Sequence, residues 1–84
     1  MIAIRLLGGA KKAVGRPLVE LDRNSATVSE ILNFLQSISS DPRILQPGNL
    51  IVAVNGVDSA AVAGANTTAK DGDQVTVVTV VHGG

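Results

Sequence analysis

The segment Val75-Thr76-Val77-Val78-Thr79-Val80-Val81 consists entirely of β-branched residues. Branching at Cβ restricts χ1 and crowds a helix, but it suits the pleated surface of a sheet. Extended back to Gln74, the run reads as a strand. It is strongly apolar on both sides, which predicts a place inside a sheet, not at its edge. A second strand opens the chain. In Met1 to Leu7, Ile2, Ile4 and Leu6 fall on one face at a period of two, with Ala3, Arg5 and Leu7 on the other. The last strand is expected to lie beside this first one.

Between them, Gly8-Gly9 and Lys11-Lys12 read as turn and loop. Pro17 to Asp22 reads as a short strand, which Pro17 places at an edge or at its own first residue. Two strands joined by a short glycine-bearing loop suggest an antiparallel hairpin. Thr27 followed by Glu30 forms a capping-box pattern. Val28, Ile31, Leu32, Leu35 and Ile38 then recur at helical spacing along one stripe, with Phe34 at its border. Ser39-Ser40-Asp41-Pro42 ends the helix, because proline disfavours helix at the residue before it. Leu50 to Val54 is a near-continuous apolar run suited to a covered strand, closed by an Asn55-Gly56 turn. Ala60 to Ala65 fits a loop or one helical turn, and Asp71-Gly72-Asp73 is a tight turn.

One helix must then cover one face of a small mixed sheet, an α+β arrangement. Ile2, Ile4, Leu6, Leu50, Val52, Val54, Val75 and Val77 are expected to face it. The other face would carry Arg5, Leu7, Ile51, Ala53, Thr76, Val78 and Val80, with no helix left to cover it. An uncovered apolar strip marks a partner site unless a loop or a second copy covers it.

Composition narrows the function. The 84 residues make one domain, expected as a globular body over 1–81 and a His-Gly-Gly tail over 82–84. Phe34 is the only aromatic residue and net charge is zero, which argues against base stacking and against phosphate-driven binding. There is no cysteine, so no thiolate nucleophile and no zinc site of the usual type; His82, the only histidine, leaves no ordinary base for a serine triad. No apolar run is long enough to span a membrane, and Met1 leads straight into a strand pattern, so the chain is expected to be cytoplasmic. Arg5, Lys11, Lys12, Arg16 and Arg23 lie early, and Asp58, Asp71 and Asp73 late; the early cations read as a solvated loop, not a binding patch.

The chain stops at Gly83-Gly84, just after its last strand pattern. Without Cβ atoms, two glycines make a tail able to thread a channel too narrow for other residues. The four residues Val81 to Gly84 span at most about 13–14 Å when extended. The terminal carboxylate is the expected reagent, His82 a polar spacer, and a separate protein the catalyst. The competing reading is that the glycines are incidental.

A hairpin, a capped helix, an Asn-Gly turn, an Asp-Gly-Asp turn and a terminal Gly-Gly, in that order, resemble the β-grasp ubiquitin-like sulfur carriers. These include MoaD, ThiS, the small archaeal modifiers and the ubiquitin-related modifiers. The resemblance spans essentially the whole chain and is carried by Val52-Ala53-Val54-Asn55-Gly56, Lys70-Asp71-Gly72-Asp73-Gln74-Val75 and His82-Gly83-Gly84. It implies a β-grasp fold of four to five strands on one main helix. It also implies that the Gly84 carboxylate is adenylated by a ubiquitin-activating-type enzyme, with Gly83 as its channel-lining neighbour. ATP and Mg²⁺ belong to that enzyme; the chain itself would bind no cofactor or metal and catalyse nothing, even as the small subunit of a molybdopterin synthase. The activated end becomes a thiocarboxylate for molybdopterin synthesis or tRNA thiolation, or is joined to target-protein lysines. The implied partners are therefore the activating enzyme, a molybdopterin synthase large subunit or tRNA thiolase, and target proteins, with no nucleic acid or membrane and a chain monomeric on its own. The partner-binding face is expected to comprise Leu7, Ile51, Ala53, Thr76, Val78, Val80 and His82. Family members often have leucine where Ala69 stands and an acid where Gln74 stands. The tail lacks the proline common in MoaD-like chains and looks closer to the ubiquitin-related modifiers. The alternative is an interaction module of the same fold without activation.

Overall fold

The two end strands meet at the middle of the sheet. The structure, a computed structural model, describes residues 1–80. Strand β1 (Ile2–Leu7) pairs in parallel with β7 (Gln74–Thr79), in a register running from Ala3 opposite Gln74 to Leu7 opposite Val78. On the outer side of β1 lies β2 (Leu18–Leu21), antiparallel, from Ile2 opposite Leu21 to Arg5 opposite Leu18. On the other side of β7 lies β4 (Leu50–Val54), antiparallel, followed by the two-residue β5 (Val57–Asp58). The sheet order is β2-β1-β7-β4-β5, with β7 inside, as its two-sided apolar pattern requires. Pro17 falls just before the edge strand β2, where its missing N–H is harmless.

Helix α2 (Val28–Ser37) covers one face. Its N-terminus closes the expected capping box: Glu30 N–H donates to Thr27 Oγ1 at 3.1 Å, and Thr27 N–H donates to Glu30 Oε1 at 2.9 Å. Ile31 and Leu35 are fully buried against Ile2, Ile4, Leu6, Val75 and Val77, which are fully buried too. Each such side chain contributes about 1.5–3 kcal/mol relative to exposure. Val52 is buried, while Leu50, Val54 and Phe34 pack half-buried at the margin. The architecture is an α+β β-grasp: a mixed five-stranded sheet on one main helix.

Ile38 leaves the expected stripe. The helix stops at Ser37, and Ile38 is exposed. The next residues are drawn away by tertiary hydrogen bonds: Ser40 N–H donates to Ala13 O at 2.8 Å, and the Ser39 and Ser40 hydroxyls bond the same oxygen. The expected loop after β1 also differs, because Gly9–Val14 is a short helix, α1. Ala10 and Ala13 bury its inner side, Lys11 and Lys12 face solvent, and Gly15, at φ 86°, donates its N–H to Lys11 O to end it. The β1–β2 pair thus closes through a helical turn instead of a short loop.

A separate ribbon pairs β3 (Ser25–Thr27) with β6 (Thr68–Lys70), burying Ala26 and Ala69. Four 3₁₀ turns, Pro42–Leu45, Pro47–Asn49, Ser59–Ala61 and Gly64–Asn66, fill the connections. The last two take up the alanine-rich segment.

The Asn55-Gly56 and Asp71-Gly72-Asp73 turns are bonded to each other. Asn55 and Gly56 both have positive φ, at 51° and 83°. The Asn55 amide donates to Asp73 Oδ1 and accepts from Gln74 N–H, both at 3.0 Å, while Asp73 Oδ2 accepts from Lys70 N–H at 2.8 Å. These bonds, the Lys70 N–H first and the Asn55 amide second, hold the Asp73 carboxyl below its ordinary value. Glu30 is lowered likewise, first by the Thr27 N–H and then by Arg23.

A lowered carboxyl adds stability that is fully present above the ordinary carboxylate range of about 4, and that is lost as pH falls through the folded value. Asp73→Asn should therefore make the acid-side decline of the urea midpoint shallower than in the parent. An unchanged slope would contradict the assignment. Thr27→Ala should cost about 1 kcal/mol in urea unfolding at neutral pH.

Candidate functional site

Side chains in register on neighbouring strands share a face of the sheet, so the pairings define what the helix-free face presents. One row runs Leu7, Val78, Ile51 across β1, β7 and β4; the next runs Arg5, Thr76, Ala53. Leu18 on β2 lies opposite Arg5. Leu7 is 42% exposed, Ile51 45% and Leu18 50%, and Arg5 is also exposed. Ala53, Thr76, Val78 and Val80 are half-buried. The structure thus brings five of the sequence-predicted face residues, Leu7, Ile51, Ala53, Thr76 and Val78, to one side of the three central strands, while Val80 lies just beyond the end of β7 and lines the depression at the chain exit. The seventh, His82, lies outside the described residues, as do Val81, Gly83 and Gly84. Leu18 extends the apolar face, and the sequence reading missed it because β2 alone gave no register.

The described chain leaves the sheet at Val80. Strand β7 ends at Thr79, shorter than the expected run to Val81. Its exit is fixed on two sides. Val80 N–H donates to Asn49 O at 2.8 Å, and Gly9 N–H donates to Thr79 Oγ1 at 2.7 Å. The Gly8-Gly9 pair, read from sequence only as a turn, permits this approach. A Cβ on either glycine would lie 3.0 Å from Thr79 Oγ1, and Gly8 also sits at φ 60°. The only sequence signal for this clasp was a hydroxyl residue in the last strand paired with adjacent glycines after the first. A shallow depression of about 230 Å³, lined by Gly9, Ile44, Asn49, Thr79 and Val80, marks the exit.

A second hollow of about 420 Å³ runs between α2 and β4, lined among others by Leu32, Gln36, Gln46 and Leu50. None of the predicted face residues among the described ones lines it. Among the described residues no group of three His, Cys, Asp or Glu side chains is placed to hold a metal. The carboxyls with lowered values, Glu30 and Asp73, stabilise a helix cap and a turn, and neither is on the apolar rows. No helix of the described residues is long and apolar enough to cross a membrane.

This arrangement places an apolar strip beside the point of chain exit, and binding is what it can do chemically. A family model described as the ThiS family matches residues 4–84. The solution structure of small archaeal modifier protein 1 (SAMP1) from Methanosarcina acetivorans superposes with a TM-score of 0.81 at 20% identity, covering 99% of this chain and 95% of that one. A chain of the Amycolatopsis orientalis BexX/CysO complex superposes with a TM-score of 0.77 at 25% identity over 100% of both. The Haloferax volcanii HVO 2177 protein gives a TM-score of 0.76 at 26% identity, over 99% of this chain and 85% of that one. Sequence comparison with curated proteins finds no match.

Adjacent residues of β4 test the face assignment. Ile51→Asp should change unfolding free energy by about 0.5 kcal/mol or less, as exposed positions do. Val52→Asp, one residue on but facing the helix, should unfold the domain. Thermal denaturation followed by circular dichroism distinguishes them, and equal damage by both would refute the two-faced reading.

Proposed function

We propose, from the premise that this chain belongs to the ThiS family of ubiquitin-like β-grasp proteins, that it is a carrier whose C-terminal glycine is the working group. The observation that carries the reading is that the family match runs through residue 84 and so takes in Gly83-Gly84. The chains similar in structure include small archaeal modifier protein 1, CysO and Urm1.

A carboxylate is a poor electrophile. In the proposed reaction the Gly84 carboxylate attacks the α-phosphate of ATP on a separate ubiquitin-activating-type enzyme, and pyrophosphate leaves. That enzyme supplies ATP, Mg²⁺ and the stabilising charge. The resulting acyl-adenylate carries a good leaving group. Sulfide (HS⁻) displaces AMP from the acyl carbon to give a thiocarboxylate, or a lysine amine displaces it, losing a proton, to give an isopeptide bond.

This chain's part is recognition and reach. The apolar rows Leu7, Val78, Ile51 and Thr76, Ala53 are the proposed grip for the activating enzyme, and His82 the spacer between grip and glycines. The rigid attachment is the double anchor of Thr79 and Val80. Downstream, a molybdopterin synthase large subunit, a tRNA thiolase or target lysines would receive the activated end. A solved structure described as a putative molybdopterin converting factor, subunit 1, from Pyrococcus furiosus, TM-score 0.70, keeps the first of these in view. The BexX/CysO complex supports the general idea that such a body assembles with another protein.

The test is ATP–pyrophosphate exchange with the cognate activating enzyme. A chain ending at Gly84 should support exchange, and one ending at Gly83 should not, with both unfolding at the same temperature. Undiminished exchange by the shortened chain would refute the proposal and leave an interaction module. Intact-mass spectrometry of protein from its own cells then separates the two fates. Replacement of one oxygen by one sulfur marks the thiocarboxylate, and Gly-Gly remnants on other proteins' lysines mark conjugation.

A further inference from the structure

Zero net charge conceals an axial separation of charge that the fold creates. At the end where the described chain leaves the sheet, α1 lies against β7 and against the 3₁₀ turn Pro42–Leu45. Lys11 and Lys12 stand on the solvent side of α1, opposite its buried alanines, and Arg16 follows exposed just beyond its C-cap. Arg43 belongs to the 3₁₀ turn, one residue before Ile44 of the exit depression, and its side chain is 89% exposed. Among the described residues the one carboxylate at this end is Asp41, which accepts from Arg43 Nε at 3.1 Å. Among the described residues Lys11, Lys12 and Arg16 make no ion pair.

The opposite end holds most of the carboxylates, with Arg23, Lys70 and the Met1 ammonium among them. Asp71 and Asp73 flank the turn that precedes β7, Asp22 follows β2, and Glu20 sits opposite Ala3 near the start of β1. Glu30 lies at the first turn of α2, whose Val28 N–H bonds Thr67 O just before β6. Several of these carboxylates are already engaged: Asp71 with the Met1 ammonium, Glu30 with Arg23 and Asp73 with Lys70 N–H and the Asn55 amide. The cations at the exit end are the freer set.

We infer that Lys11, Lys12, Arg16 and Arg43 form a cationic collar that steers the chain-exit end onto an acidic protein surface around the pocket that receives residues 81–84. This inference rests on the proposed function above and adds the chemistry of the partner's rim. A charge separation of this kind orients encounter before contact and raises the association rate. A protein partner is favoured over nucleic acid because the collar has no aromatic side chain for base stacking; Phe34, the only aromatic residue, packs half-buried against the core from α2. It is favoured over a second copy because that copy's acidic end is largely self-satisfied.

The experiment is stopped-flow association with the activating enzyme. The double variant Lys11→Glu, Lys12→Glu should bind about ten-fold more slowly at an ionic strength of about 0.01 M, where the Debye length is about 30 Å. The difference should vanish at about 1 M, where it is about 3 Å, and the dissociation rate should hold. Asp22→Lys, at the far end, should not slow association. If the charge reversal perturbs the unfolding midpoint, Lys11→Gln with Lys12→Gln should still give about half the slowing on a logarithmic scale. An association rate equal to the parent's, or a loss that persists at high salt, overturns the collar while leaving the proposed function standing. A parent chain that never associates overturns both. Low-salt self-association in sedimentation, or tighter binding of the parent to single-stranded RNA than to the enzyme, overturns the acidic protein partner.

Discussion

The parallel pairing of β1 with β7 is the contact on which the rest of the structure depends. It joins the two ends of the described chain and places Ile2, Ile4, Leu6, Val75 and Val77 in one fully buried layer beneath α2. Parallel neighbours cannot be linked by a tight turn, so everything from Gly8 to Asp73 is crossover. The edge strand β2, helix α2 and strand β4 each attach to this central pair or pack on it. The chain must close its longest loop before that layer exists, which ties stability to a contact distant in sequence.

The same pairing decides which end of the molecule does what. Because β1 and β7 run in the same direction, the end of β7 emerges beside the end of β1. The Gly8-Gly9 corner can then bond Thr79, and α1, with its lysines, comes to flank the exit. The start of β7 lies beside Met1, where Asp71 meets the N-terminal ammonium and Gly72 N–H bonds Met1 O. The row Leu7, Val78, Ile51, the end of β7 and the exposed lysines of α1 are therefore gathered toward one end of a domain with no net charge. The carboxylates that hold turns and caps sit at the other.

Features carried by a few adjacent residues were legible in the sequence. The Thr27–Glu30 box, the positive-φ Asn55-Gly56 turn, the buried stripe Val28, Ile31, Leu32, Leu35 and the β-branched last strand each express a local preference strong enough to survive folding. Features that depend on a distant partner were not. Helix α1 has only Ala10, Ala13 and the half-buried Val14 as its apolar side, too little periodicity to read, and gains its packing from β7 and the Pro42–Leu45 turn. The three-residue strands β3 and β6 exist only as a pair. Ile38 fits the helical stripe by spacing, yet Ala13 O captures the next residues and ends the helix first. Of the candidate site, the face residues followed from strand alternation, whereas Leu18 and the Thr79 clasp needed the register.

The order of strands, the capped helix and the two-faced alternation were determined by the sequence itself, because each arises from torsional preference and from apolar periods of two and 3.6 read over short windows. The position of the lysines was decided only in three dimensions. Read along the chain, Lys11, Lys12 and Arg16 are charges in a loop. Folded, the helix that carries Lys11 and Lys12 packs against β7, because the β1–β7 register and the Gly9–Thr79 hydrogen bond bring α1 to the end of a strand about seventy residues away.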